Sequence, residues 1–285
     1  MQLYHFFTKK ANFNLCYYRG MYLCIDVGGT KTIVSLINRQ GKILHSVKFA
    51  TMLDQDDFYR TLLQQIRTNF TTHNLIAIGV ALPGVVKNNK AIWYGNLPWK
   101  KFDLAKLLKS DFNVPVFIEN DANLATLAEA RRLSGRSMYL TFSTGIGGGI
   151  VENHALANRY LDFEPGHTEY VYGGHKLEWE DIASAKAINA LTGRLASEIT
   201  DKSDWKEVAK RITIGLAPLI TSLKPDRIIF GGPIGFKLDE YRYYLRRFLT
   251  KELPPKTKLP RFYSAKYQNL SVINGCYLYV KDQLK

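Results

Sequence analysis

The stretch Tyr22-Leu23-Cys24-Ile25-Asp26-Val27-Gly28-Gly29-Thr30-Lys31-Thr32-Ile33-Val34-Ser35-Leu36-Ile37 sets two glycines and a threonine between two apolar runs. Both runs read as strands, 22–27 and 32–38, so the glycines form a strand-turn-strand element. The familiar nucleotide loops pass instead from a strand into a helix, and neither G-x-G-x-x-G nor G-x-x-x-x-G-K-[ST] occurs. A second such element follows: the strand 137–142, the turn Ser143-Thr144-Gly145-Ile146-Gly147-Gly148-Gly149, and a strand 149–152. Either turn reads as an ordinary hairpin with glycine at positive φ. Each reads equally as a cradle in which backbone N–H groups and a threonine hydroxyl, Thr30 or Thr144, reach an anion. The glycines from Gly145 to Gly149 exceed what a hairpin needs.

Between the turns, Glu119-Asn120-Asp121 falls where a strand (115–118) hands over to a helix (122–133). Carboxyl ends of strands in open α/β sheets are where ligands bind, and Asp121 there reads as a helix cap or as a functional carboxylate. The two turns and this cluster together outline a phosphate-transfer site.

Length and composition limit the function classes. A chain of 285 residues makes one large domain or two medium ones. With 46% hydrophobic and 22% charged residues it falls in the soluble globular class, and no apolar run is long enough to span a bilayer. No membrane partner is expected. Cys16, Cys24 and Cys276 lack the spacing of a disulfide framework or a zinc site, which points to reduced cytoplasmic thiols. Residues 1–20 lack a secretion signal and read as an N-terminal arm or as an extension ahead of a start at Met21. The net charge of +14 favours anionic partners. Its clusters are small and no DNA- or RNA-binding signature is present, so nucleic acid is not an expected partner.

Around these motifs the pattern is mixed α/β. It places a strand over 42–49, a helix over 55–70, a strand over 75–81 and a short helix over 103–110. After the second turn it gives an irregular stretch over 153–179, helices over 180–200 and 204–223, and a strand over 227–230 ending in Gly231-Gly232-Pro233. A helix over 238–249, a strand over 261–264 and a final helix over 270–281 complete it. Two similar halves are implied, each opening with a strand, a glycine turn and a second strand.

Read jointly, the motifs resemble the ROK family of sugar kinases and repressors within the hexokinase–actin fold group. The resemblance rests on Asp26-Val27-Gly28-Gly29-Thr30-Lys31, Leu82-Pro83-Gly84, Asn96-Leu97-Pro98-Trp99, Glu119-Asn120-Asp121-Ala122-Asn123, Thr144-Gly145-Ile146-Gly147-Gly148-Gly149, Glu164-Pro165-Gly166-His167 and Gly231-Gly232. It implies an α/β, two-domain, actin-like ATPase (ribonuclease H-like) fold with a cleft between the domains. The smaller domain would be 21–121 plus 272–285, and the larger 122–271. It implies an ATP-dependent, glucokinase-like hexose kinase working as a homodimer. Asp121 would be the catalytic base, and Asn96, Asn120, Asp121, Glu164, His167 and Glu180 the sugar contacts. The nucleotide would meet Asp26, Gly28, Gly29, Thr30, Lys31, Thr144, Gly145, Gly231 and Gly232, and Asp26 would hold Mg2+ through water. Structural alternatives stand beside these roles: a loop-fastening histidine for His167, a helix-dipole charge for Glu180, and a βα turn for Gly231-Gly232.

The chain departs from the family pattern in two places. Many members carry a cysteine-rich zinc loop after the histidine, whereas Thr168 to Trp179 contains no cysteine, so no zinc site is expected. That shortened stretch is similar to zinc-free polyphosphate glucokinases, which keeps polyphosphate open as the donor beside ATP. Phe163 and Pro165 flank Glu164 where relatives have smaller residues, leaving the preferred hexose open. A sugar-binding regulator is the non-enzymatic alternative, although the 20 residues before Met21 are too few for a helix-turn-helix domain.

Overall fold

The computed structural model describes residues 20–70, 72 and 74–285, so the expected extension over 1–20 lies outside the described residues apart from Gly20. Two five-stranded sheets of the same plan form the frame. In the first, β1 (Met21–Val27), β2 (Lys31–Ile37) and β3 (Ile43–Ala50) make an antiparallel meander. After helix α1 (Gln55–Asn69), β4 (Leu75–Leu82) returns parallel to β1. A small hairpin, β5 (Val85–Lys87) and β6 (Lys90–Trp93), and helix α2 (Leu104–Phe112) lead to β7 (Val116–Asn120). That strand runs parallel to β4 and passes directly into α3 (Asp121–Ala130).

The second sheet repeats the plan. Strands β8 (Arg136–Phe142) and β9 (Ile146–Glu152) are antiparallel, and β10 (Ala155–Leu156) extends that edge. A hairpin of β11 (Glu169–Tyr172) and β12 (His175–Glu178) and helices α4 (Trp179–Ala183), α5 (Ala185–Thr192) and α6 (Lys202–Leu223) follow. Strand β13 (Arg227–Gly231) lies parallel to β8, then come α7 (Gly232–Gly235), α8 (Leu238–Glu252), β14 (Arg261–Ser264) parallel to β13, and α9 (Ser271–Gln283). The two similar halves expected from the turns are therefore present.

Local chemistry explains most elements. Strand β1 is apolar almost throughout because both its faces are covered. Helix α1 starts at Asp54, whose carboxylate accepts from the N–H groups of Asp56 and Asp57, and it buries Phe58, Leu62 and Ile66 at four-residue spacing. The second sheet packs against α4, α6 and α8 around Trp179, Trp205, Phe230 and Tyr241. Helix α9 returns to the first sheet, where Cys276 and Val280 fill the space left by Gly79 on β4. It also crosses α3, with Gly275 against the Leu124 carbonyl, so α3 and α9 are packed tightly together.

Three expectations are corrected. The helix over 180–200 is broken: Ser184 caps α5 through the Ala187 N–H at 3.1 Å, and Gly193, at φ +67°, ends it. The stretch over 153–179 is not irregular throughout, since Gly173 and Gly174, at φ +59° and +81°, turn the β11–β12 hairpin. The second glycine turn is also shorter than expected. Strand β9 starts at Ile146, so only Ser143-Thr144-Gly145 is turn.

Candidate active site

Because β1, β4 and β7 are parallel, their carboxyl ends share one edge. The register sets Asp26 beside Ala81, Ala81 beside Glu119, and Leu82 beside Asn120. The second sheet presents its own carboxyl edge, where Gly231 pairs with Thr141 and the chain continues to Ser143-Thr144. Helix α3 leaves the first edge and runs along β9, its Ala122 lying 3.3 Å from where a Cβ on Gly147 would stand.

Asn120, not Asp121, caps α3. Its Oδ1 accepts from the Asn123 N–H at 2.9 Å, while its Nδ2 donates to the Gly84 carbonyl at 2.6 Å and reaches Glu164 Oε1 at 3.4 Å. The plain-cap alternative for Asp121 therefore fails. Its Oδ1 accepts from the next backbone N–H, Ala122, at 2.8 Å. Alternation along β7 points Glu119 to the face opposite Asn120, where it is buried and accepts from Asn123 Nδ2 at 3.0 Å. Glu119 anchors the motif.

Asp121 belongs to a group of carboxylates drawn from distant parts of the chain. Burial raises its pKa to about 6, against the opposing pull of the Ala122 N–H. Burial and then the charge of Asp121 raise Asp26 to about 7, with Lys31 opposing. Glu164 is also raised to about 7, by burial first, then by Asp121 and Glu180, with His167 opposing. A buried carboxylate whose charge is opposed by a second one suits a divalent cation, which would relieve the repulsion, so Asp26 beside Asp121 fits the expected Mg2+ role by its donor chemistry.

The glycines divide into two kinds. Neither Gly28 nor Gly29 has positive φ, which removes the ordinary hairpin reason for glycine there. A Cβ on Gly29 would meet nothing within 4 Å, and one on Gly28 only the Lys31 carbonyl at 3.1 Å. The Gly28 N–H already donates to the Lys31 carbonyl at 2.9 Å and its carbonyl accepts from Thr51 at 2.8 Å, so the open backbone of the first turn is at Gly29, with Thr30 and Lys31 exposed beside it. The second turn differs. A Cβ on Gly145 would strike the Glu180 carboxylate, one on Gly148 would meet Phe163 at 2.8 Å and Pro165 at 3.0 Å, and one on Gly149 would strike Thr126. Thr144 is exposed. At the end of β13, Gly231 abuts the Tyr139 hydroxyl, and Gly232, at φ +74°, abuts the Phe142 carbonyl, so packing alone requires both.

The sugar-contact candidates gather unevenly. Glu180, at the start of α4, accepts from the Ile146 N–H at 3.2 Å and so ties that helix to the second turn. His167 Nδ1 bonds Glu178 Oε2 at 2.9 Å, and the Trp93 ring meets its imidazole edge-on at 5.5 Å. Burial pulls the His167 pKa down, but the Glu178 bond and the charges of Glu180, Glu178 and Glu164 hold it above the usual histidine value. Ligand atoms of His167, Glu178 and Glu180 lie within 4.8 Å of one another, without the thiolates of a structural zinc site. Asn96 is exposed on the turn after β6, next to Gly95, whose backbone backs onto Gly84 and so onto the Asn120 bond. Sequence reading missed Glu178 and Trp93. Their partner His167 is reached only through the β11–β12 pairing and the β5–β6 hairpin, and neither signals itself by spacing.

Among the described residues no helix is long and apolar enough to cross a membrane. Comparison with known proteins agrees with the motif reading. A fructokinase from Lactococcus lactis is 26% identical, the match covering 80% of this chain and 84% of that one. A xylose repressor from Bacillus subtilis is 35% identical over 64% of this chain and 50% of its own length. The structure of a ROK family glucokinase from Streptomyces griseus, in complex with glucose and AMPPNP, superposes with a TM-score of 0.77 at 22% identity. It covers 92% of this chain and 100% of that one, and the shared fold is the actin-like ATPase fold. The ROK family model matches residues 22–283, and the chain belongs to the ROK family.

Proposed function

We propose that this protein is a sugar kinase that transfers the γ-phosphoryl group of ATP to the 6-hydroxyl of a hexose, with glucose as the foremost candidate. One observation carries the reading: Asp121 stands at the shared strand edge, released from capping duty, with a pKa of about 6 and near enough to both Asp26 and Glu164 for its charge to raise each of them. A hexose hydroxyl is a weak nucleophile, and a carboxylate poised near neutral pH is suited to take its proton as the phosphoryl group moves. Glu164, His167 and Glu180 would accept and orient the hydroxyls, with Asn96 closing one side and Asn120 holding Glu164 in place. Open backbone at Gly29, approached past the Cβ-free Gly28, with the Thr30 and Thr144 hydroxyls and Lys31, would grip the phosphates. The adenosine would lie along the second edge, by Gly231-Gly232. Mg2+, when bound, neutralises phosphate charge, and Asp26 would hold it through water. The AMPPNP-bound relative supports ATP as donor, while the fructokinase and repressor relatives leave the sugar to experiment.

The test is a coupled assay of the purified chain against a hexose panel, run separately with ATP and with polyphosphate. Asp121→Asn is expected to lower kcat by roughly 10²–10⁴-fold, the range of a lost general base, with hexose affinity largely kept. Unchanged turnover in that variant removes Asp121 from the base role. Sugar binding without phosphorylation of any sugar selects the regulator alternative.

A further inference from the structure

His167 is partly accessible, with 38% of its side chain exposed, and an untethered imidazole there would exchange tautomers and rotamers freely. Glu178 prevents this. Its Oε2 lies 2.9 Å from Nδ1, and an ionised carboxylate can only accept, so Nδ1 carries the proton. The Glu178 side chain is itself 41% exposed, but the backbone that carries it is fixed. Strand pairing sets Glu178 opposite Glu169, and the next residue, Trp179, donates its backbone N–H to the Thr168 carbonyl at 2.9 Å. The Trp179 indole is fully buried against Gly215 and donates to the Arg211 carbonyl at 3.3 Å. On the other side, His167 closes a short helical turn from Pro165, and Trp93 restricts its ring. Both partners are thus held by elements that the core fixes.

We propose that Glu178 is a positioning residue for hexose binding: it locks His167 in the Nδ1–H tautomer, so that Nε2 is the nitrogen left to meet a sugar hydroxyl. This rests on the sugar-kinase reading for its ligand, but the tautomer lock is a property of the free protein. Glu178 has no part in the phosphoryl chemistry, so its loss should weaken hexose binding and spare turnover at saturation.

The experiment compares wild type, Glu178→Gln and Glu178→Ala as full chains, by imidazole 15N chemical shifts without sugar and by steady-state kinetics across the hexose panel. In wild type, His167 should show Nδ1 protonated above its pKa. Glu178→Ala should give mixed tautomers, with the hexose KM raised about tenfold and kcat within about twofold, the scale of one hydrogen bond to a charged group. Glu178→Gln, whose amide oxygen still accepts, should restore the tautomer and most of the affinity. Unchanged His167 nitrogen shifts in Glu178→Ala overturn the proposal, as does an unchanged KM with altered shifts. One equivalent of tightly held divalent metal on His167, Glu178 and Glu180, found by metal analysis, also overturns it. Should wild type phosphorylate no sugar, the kinase reading fails, and the same tenfold effect is then read in the hexose dissociation constant by calorimetry. No change there overturns the positioning role as well.

Discussion

Asp26, Asp121 and Glu164 are carboxyl groups that the fold keeps more protonated than the unfolded chain does, at about 7, 6 and 7. The sign of the stability effect follows. Between about pH 4 and pH 7 the folded state binds more protons than the unfolded state, so the contribution of these groups to stability falls as pH rises through that window. Asp26→Asn mimics the protonated form and should melt higher than wild type at about pH 8, with the difference closing near pH 4. Thermal melts at both pH values check this, and an equal difference at each would show that the shift is not electrostatic. Catalysis runs in the opposite sense. If Asp121 must be ionised to take a proton, kcat/KM should fall on the acid side with a limb near pH 6. A group that the proposed chemistry needs charged would therefore weaken the fold at neutral pH, a conflict common at functional sites.

At the scale of elements, the two glycine turns look alike in sequence and differ in cause. A methyl group on Gly29 would have no neighbour within 4 Å, and its φ is not positive, so Gly29→Ala should leave stability within about 0.5 kcal/mol of wild type. If phosphate packs on that backbone, the same change should raise the KM for ATP. Gly231→Ala should act first on the fold. Its methyl would strike Tyr139 on β8, so a loss of about 1–3 kcal/mol is expected before any effect on nucleotide is read. Chemical denaturation paired with ATP titration separates the two, and equal stability losses would refute the division. The sequence reads the β11–β12 hairpin as irregular chain, because its strands are only four residues long and, although Gly173 and Gly174 at positive φ make its turn, what those strands face is set by distant segments.

For the whole molecule, the decisive contact is the crossing of α3 with α9. Helix α3 begins with Asp121, and α9, from the far end of the chain, lies so close that Gly275 touches the Leu124 backbone. Arg131 just beyond α3 also pairs with Asp282 on α9. Gly275→Ala should force the helices apart, costing about 1–3 kcal/mol or more and lowering kcat by displacing Asp121. Melting and turnover measured on one preparation test this, and full activity in a destabilised variant would show that α3 holds Asp121 without α9. The strands of the two large sheets other than β10, the two-halved order and the family motifs were determined by the sequence itself, because apolar period and turn chemistry act between residues close along the chain. Only the tertiary structure decided that Asn120 caps α3 and frees Asp121, that Gly29 is open while Gly145 and Gly231 are packed, and that Glu178 holds His167. It alone brought the charge of Asp121 within reach of both Asp26 and Glu164. Burial and proximity are relations between segments far apart in sequence, and they exist only once the two sheets and the helices between them have closed on one another.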